Sequence, residues 1–204
     1  MRNLKIVLLL FVTFFSCKKE TDAKEEVLAK VKNYSVYHQE AKAFSREENF
    51  NQDYYFLIDL SLHSGKNRFF VYDFKTKKIM AQNLVTHGSC DVFETNDTSL
   101  EKVKFSNEND SHCSSSGKYK IGKRDYSSWG INIKYWLHGL EKTNQNAEKR
   151  VVVLHSWNKV SNTEIYPQYA PLSWGCPAVS DMFMKVLDDK LQYSKEPVLL
   201  WIIQ

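Results

Sequence analysis

The sequence predicts a mainly β protein: one β-rich domain of sandwich or barrel-like form, with a few short helices and a helix on its N-terminal side. From residue 54 onward, short runs rich in Tyr, Phe, Val and Ile alternate with turn-forming residues. Only two stretches space their apolar residues helically, one before residue 50 and one after residue 180. Of the 204 residues, 43% are hydrophobic and 25% charged, which suits one folded domain and excludes a disordered chain. A net charge of +4 without a basic stripe gives no support to a nucleic-acid partner.

Taken in order, Arg2 and Lys5 precede an apolar run over residues 6–15, broken by Thr13. The run is far shorter than the roughly 20 residues a membrane span needs, so residues 1–16 read as a signal peptide. It ends at Phe15-Ser16-Cys17, which resembles a bacterial lipobox. That resemblance implies cleavage before Cys17, lipidation of Cys17 and attachment to a cell-envelope membrane, the outer membrane being expected. Two or three acyl chains at about 0.8 kcal/mol per buried methylene suffice for anchoring. An ordinary secretory leader and a short uncleaved anchor are the alternatives. Each exports the rest of the chain to a compartment that permits disulfides, the periplasm being expected.

Residues 17–50 carry balanced charge, with Val27, Leu28, Val31, Tyr34, Ala41 and Phe44 at near-helical spacing. They read as a lipidated tether leading into an amphipathic helix. The remaining domain, 51–204, is expected to begin with strands over 54–60, 68–72 and 78–85. Residues 90–116 are polar and irregular, and strands resume over 118–121, 132–137 and 150–155. Ser180 can N-cap a helix that buries Phe183, Val186, Leu187 and Leu191, and an apolar strand over 198–203 follows. His38 and His63 read as surface residues. A tethered single domain is expected to be a monomer.

Three cysteines lie beyond Cys17. Cys90 and Cys113 bracket the polar stretch, and a disulfide between them would close a loop of about 24 residues, worth about 3 kcal/mol. Free thiols, or a metal site recruiting His87 and His112, are the other readings, although neither a CxxC nor an HExxH pattern is present. No metal and no cofactor are expected. Cys176 differs, because Ser173-Trp174-Gly175-Cys176-Pro177 sets a thiol on a tight turn beside backbone N–H groups, where a nucleophile with an oxyanion site can be built. His155, at the end of the apolar run 151–154, is the candidate base.

His155, seventeen residues, then Ser173-Trp174-Gly175-Cys176 resembles the signature of the YkuD-type L,D-transpeptidases. Ser116-Gly117-Lys118-Tyr119-Lys120-Ile121 resembles a strand of that family. His87-Gly88-Ser89, His138-Gly139-Leu140-Glu141 with Asn144, Ala147 and Arg150, and Cys176-Pro177-Ala178-Val179 resemble its murein L,D-transpeptidase catalytic domain branch. Trp174 stands where many members carry a second His, and Ala178 where many carry Asn.

The resemblance implies acyl transfer on peptidoglycan peptide stems. Cys176 attacks the L-centre carbonyl of meso-diaminopimelate, and an acceptor amine resolves the thioester into a 3→3 cross-link. His155 is the implied base, the Ser156 carbonyl orients it, and the Gly175 and Cys176 N–H groups form the oxyanion site. Ser173, Trp174, His138 and Glu141 are the expected substrate-binding residues. Trp129, Trp136, Trp157 and Tyr166 read either as core or as a glycan-stacking wall. Transfer to water, making an L,D-carboxypeptidase or endopeptidase, and a non-catalytic wall-binding lipoprotein are the competing functions.

Overall fold

The structure, a computed structural model, describes residues 32–90 and 102–204. The expected signal peptide, Cys17 and the apolar positions Val27, Leu28 and Val31 lie outside the described residues. The chain divides into two units, residues 1–35 and 36–204, and the second holds every feature described below.

The β-rich runs form one eight-stranded sheet. Its strands are β1 (Tyr54–Asp59), β2 (Phe69–Asp73), β3 (Lys78–Asn83), β4 (Gly117–Tyr126), β5 (Ile133–Gly139), β6 (Val153–Ser156), β7 (Ala178–Val179) and β8 (Leu199–Ile203). The spatial order is β3-β2-β1-β8-β4-β5-β6-β7, antiparallel except where β1 meets β8 and β6 meets β7. The edge strands β3 and β7 are drawn together by the chain leaving β3. Thr86 N–H donates to the Ala178 carbonyl at 2.9 Å, and Ser173 N–H to the His87 carbonyl at 2.8 Å. The sheet is thereby nearly closed into a barrel.

The central strands are buried on both faces, which explains their unbroken apolar runs: all five residues of β8 are buried. One face packs Phe56, Tyr119, Leu137, Leu154 and Leu200 against helix α2 (Asp181–Leu191). Ser180 caps α2 by accepting from Phe183 N–H at 3.2 Å. Phe183, Met184, Leu187 and Leu191 make its buried stripe, while Val186, expected there, falls off it and is half-exposed.

Helix α1 (Ser35–Glu47) buries Ala41 and sets Tyr37 edge-on to Trp201 at 5.2 Å. Neither His38 nor His63 is a plain surface residue. His38 stacks on Tyr72 at 3.5 Å and lies 2.7 Å from the Tyr55 hydroxyl, and burial lowers its pKa from 6.5 to about 4. His63 stacks on Tyr169 at 4.3 Å. A neutral imidazole is a flat ring that packs as an aromatic does.

Three strand boundaries differ from expectation for local reasons. β4 runs on to Tyr126 across a register shift between Ile121 and Arg124, through polar residues that carry no apolar alternation. β6 starts at Val153 because Arg150 and Val151 end a turn, with Val151 at φ 55°. β7 is only two residues long, too short to show as a pattern. Among the described residues, no helix is long and apolar enough to cross a membrane.

Candidate active site

The segment 173–176 is held by its own side chains. Ser173 Oγ donates to the Cys176 carbonyl at 2.7 Å and accepts from Gly175 N–H at 3.2 Å, which folds the turn on itself. Thr86 Oγ1 donates a second bond to the same carbonyl at 3.0 Å and accepts from Ala178 N–H at 2.9 Å. Gly175 has φ 98°, and a Cβ there would lie 2.6 Å from the Cys113 carbonyl oxygen. Both facts require glycine.

The resemblance implies the Gly175 N–H as an oxyanion donor. This N–H is buried and spent on Ser173 Oγ. The Cys176 N–H has no protein acceptor among the described residues and remains available.

His155 is the last residue but one of β6 and faces β7, with Ala178 as its register partner. Its Nδ1 lies 2.9 Å from the Ser156 carbonyl. A carbonyl only accepts, so Nδ1 carries the proton and Nε2 keeps its lone pair. Ser156 is fixed in turn, because its Oγ accepts from Ile131 N–H at 3.0 Å. Gly130 makes that approach possible, since a Cβ there would lie 2.0 Å from the same oxygen. Burial lowers the pKa of His155, against the bond to Ser156, so the imidazole rests neutral.

The Cys176 thiol lies 3.4 Å from Val153 N–H and 3.6 Å from the Val151 carbonyl. Burial pushes its pKa up. The Val153 N–H and the charges of Arg150 and Lys134 pull the other way. Thiol and imidazole therefore rest uncharged, an arrangement that calls for general-base activation when substrate arrives.

Both groups line one cleft of about 380 Å³, with Trp129, Trp157, Leu172, Ser173 and Trp174. Trp174 is mostly exposed and stacks on His112 at 4.8 Å. Trp129 meets Trp157 at 5.7 Å and lies 6.5 Å from His155, ring to ring. Of the four aromatics weighed as a wall, Trp129 and Trp157 line the cleft. Trp136 and Tyr166 do not.

Cys90 and Cys113 are joined by a disulfide. Arg150 binds the Cys113 carbonyl at 2.6 Å, the Ser106 carbonyl at 2.9 Å and the Ser115 hydroxyl, so it pins the loop that underlies Gly175. His87 is buried, with Nδ1 2.9 Å from the guanidinium of Arg68. Among the described residues, no group of three or more His, Cys, Asp or Glu side chains could hold a metal ion.

Cys176, His155, Ser156, Ser173, Trp174 and Gly175 thus come together, whereas His138 and Glu141 do not join them. His138 Nδ1 lies 3.1 Å from Glu148, and Glu141 pairs with Lys118 at 3.3 Å. Neither lines the cleft, and Glu148 and Lys118 hold the two side chains. Thr86, a support that sequence reasoning missed, had one signal, its place directly before His87-Gly88.

A family model described as "L,D-transpeptidase catalytic domain" matches residues 28–200. No curated protein matches the chain. Among solved structures, a point mutant of the helical cell shape determining protein Pgp2 from Campylobacter jejuni is similar at 10% identity and TM-score 0.45, over 73% of this chain and 46% of that one. Bd1075 of Bdellovibrio bacteriovorus is similar at 16% identity and TM-score 0.45, over 76% and 49%. An L,D-transpeptidase from Xylanimonas cellulosilytica is similar at 11% identity and TM-score 0.38, over 78% and 68%. The chain spans about half the length of the first two.

Proposed function

We propose that this chain, which belongs to the L,D-transpeptidase catalytic domain family, uses Cys176 to transfer acyl groups between peptidoglycan peptide stems. One observation carries the reading. Cys176 shares a cleft with His155, whose Nδ1 is held by the Ser156 carbonyl so that Nε2 is the basic atom.

His155 takes the thiol proton as Cys176 Sγ attacks the L-centre carbonyl of meso-diaminopimelate in a tetrapeptide stem. The Cys176 N–H stabilises the oxyanion, and such a preorganised donor is worth about 3 kcal/mol. The C–N bond to D-alanine breaks, and His155 returns the proton to the departing amine. The side-chain amine of a second stem then attacks the thioester, loses its proton to His155 and releases the thiolate, leaving a 3→3 cross-link. The protein acts from the periplasm, as a processed lipoprotein anchored through Cys17. The Cys90–Cys113 disulfide supports an oxidising compartment.

The test is peptide-mapped mass spectrometry of the full chain after incubation with disaccharide-tetrapeptide and, separately, with a carbapenem. An adduct on Cys176 that is lost in His155→Ala is expected. No adduct from either compound on reduced, folded protein would favour a wall-binding lipoprotein instead. Products separate transfer from hydrolysis: cross-linked dimers mark transfer to an amine, and tripeptides alone mark transfer to water.

A further inference from the structure

We propose that Lys134, which stands at the edge of this cleft and not among its lining residues, is its carboxylate-recognition residue, taking an anionic group of the peptide stem beside Cys176; the substrate class rests on the function proposed above. In the antiparallel pairing of β5 with β6, Lys134 stands directly opposite His155, and Trp136 opposite Val153. Residues opposed in this way project from the same face of a sheet. The other face of β5 is committed to the core through Tyr135 and Leu137, packed with Leu154. Lys134 and Trp136 therefore share the face of His155 and of Val153, whose N–H touches the Cys176 thiol.

The ammonium is held at the edge of the cleft, over a ring that does not line it. Lys134 Nζ lies 5.0 Å from the centre of the Trp136 ring, a cation–π contact that fixes its direction without using its hydrogen-bond donors. Its charge reaches both reacting groups, favouring the thiolate of Cys176 and the neutral form of His155. Asp125, its register partner on β4, accepts from Trp136 Nε1 at 3.1 Å and feels the Lys134 charge, which favours its carboxylate form. Among the described residues, no carboxylate pairs with Lys134 within 4.0 Å. Arg150, the other cation acting on Cys176, is occupied by the carbonyls of Ser106 and Cys113 and the hydroxyls of Ser111 and Ser115.

Trp129, Trp157, Leu172 and Trp174 give the rest of the cleft an apolar wall. A carboxylate buried against such a wall without a partner is costly, and a stem carrying one needs a cation there. Lys134 supplies it with donors to spare. The cleft then distinguishes free-acid stems from amidated ones, which differ only in that charge.

The test compares alkylation of Cys176 by iodoacetate and by iodoacetamide in the full chain, followed on the Cys176 peptide. Both reagents form the same S–C bond, expel iodide and release the thiol proton, and they differ in carrying a carboxylate or an amide. Lys134→Met is expected to lower the iodoacetate-to-iodoacetamide rate ratio by about tenfold, the scale of one unit charge a few ångströms away at a partly screened site. Lys134→Arg is expected to keep most of the ratio. A fold defect would slow both reagents alike, so an unchanged ratio in Lys134→Met overturns the proposal. On tetrapeptide stems, the preference for free acid over amide, read as a ratio of kcat/KM values, should fall with the same substitution. A wild-type chain that turns over neither stem, yet shows the alkylation response, removes the proposed substrate and leaves the anion site standing.

Discussion

Where α1 meets β1 and β2, ring lies on ring: Tyr55 stacks on Phe74 at 5.2 Å, Tyr72 meets Phe74 at 6.1 Å, and His38 covers Tyr72. Around Cys176 almost every tie is instead a single directed hydrogen bond, from Ser173, Thr86 or Arg150 to a named carbonyl. Ring packing adds many small attractions, so one loss removes stability and leaves the remaining contacts in place. A hydrogen-bonded turn fixes where atoms stand, so one loss there displaces the thiol. The first region serves folding, and the second sets the position of the Cys176 thiol.

The contrast can be broken at several points. Phe74→Ala, in the aromatic region, should lower the unfolding free energy by about 3–5 kcal/mol in urea titration. Activity per folded molecule should hold, and a matching fall in kcat would erase the division. Gly175→Ala should do the reverse. Its left-handed φ and the 2.6 Å approach to the Cys113 carbonyl force the turn to shift. A misplacement of about 1 Å costs on the order of 100-fold in kcat, while the strain in thermal unfolding stays within about 1–3 kcal/mol.

Thr86→Val keeps the shape and removes the two bonds that tie the Cys176 carbonyl and the Ala178 N–H to one hydroxyl. About 1–2 kcal/mol of stability should go, with a several-fold loss of kcat visible in steady-state assays. The smallest effect lies in pH. His155 must be neutral to accept the thiol proton, and burial holds its pKa below 6.5. Hence kcat/KM should rise with pH through an inflection below 6.5 and be level by neutrality. An inflection above 6.5 would mean that the imidazole rests as a cation.

The sequence and the structure agree where a pattern repeats. β1, β2, β3, β5, β8 and α2 follow apolar alternation or helical spacing and could be located in advance, whereas Ile79 and Met80 of β3 and Val186 of α2 turn outward. The pairing of His155 with the 173–176 turn was legible only as a motif, because its parts are far apart in the chain. What stayed hidden depends on single contacts. The loss of Gly175 N–H to Ser173, the support from Thr86 and the engagement of His138 by Glu148 leave no periodic trace. Lys134 escaped notice because its meaning lies in a cross-strand register with His155, which no local spacing reveals.

The Cys90–Cys113 bond also links the site to its surroundings. Arg150 fastens Cys113 under the 173–176 turn, where a Cβ on Gly175 would meet the Cys113 carbonyl. A reductant that opens the crosslink therefore acts on the floor beneath that turn, so the setting of the Cys176 thiol is tied to the redox state of two other cysteines.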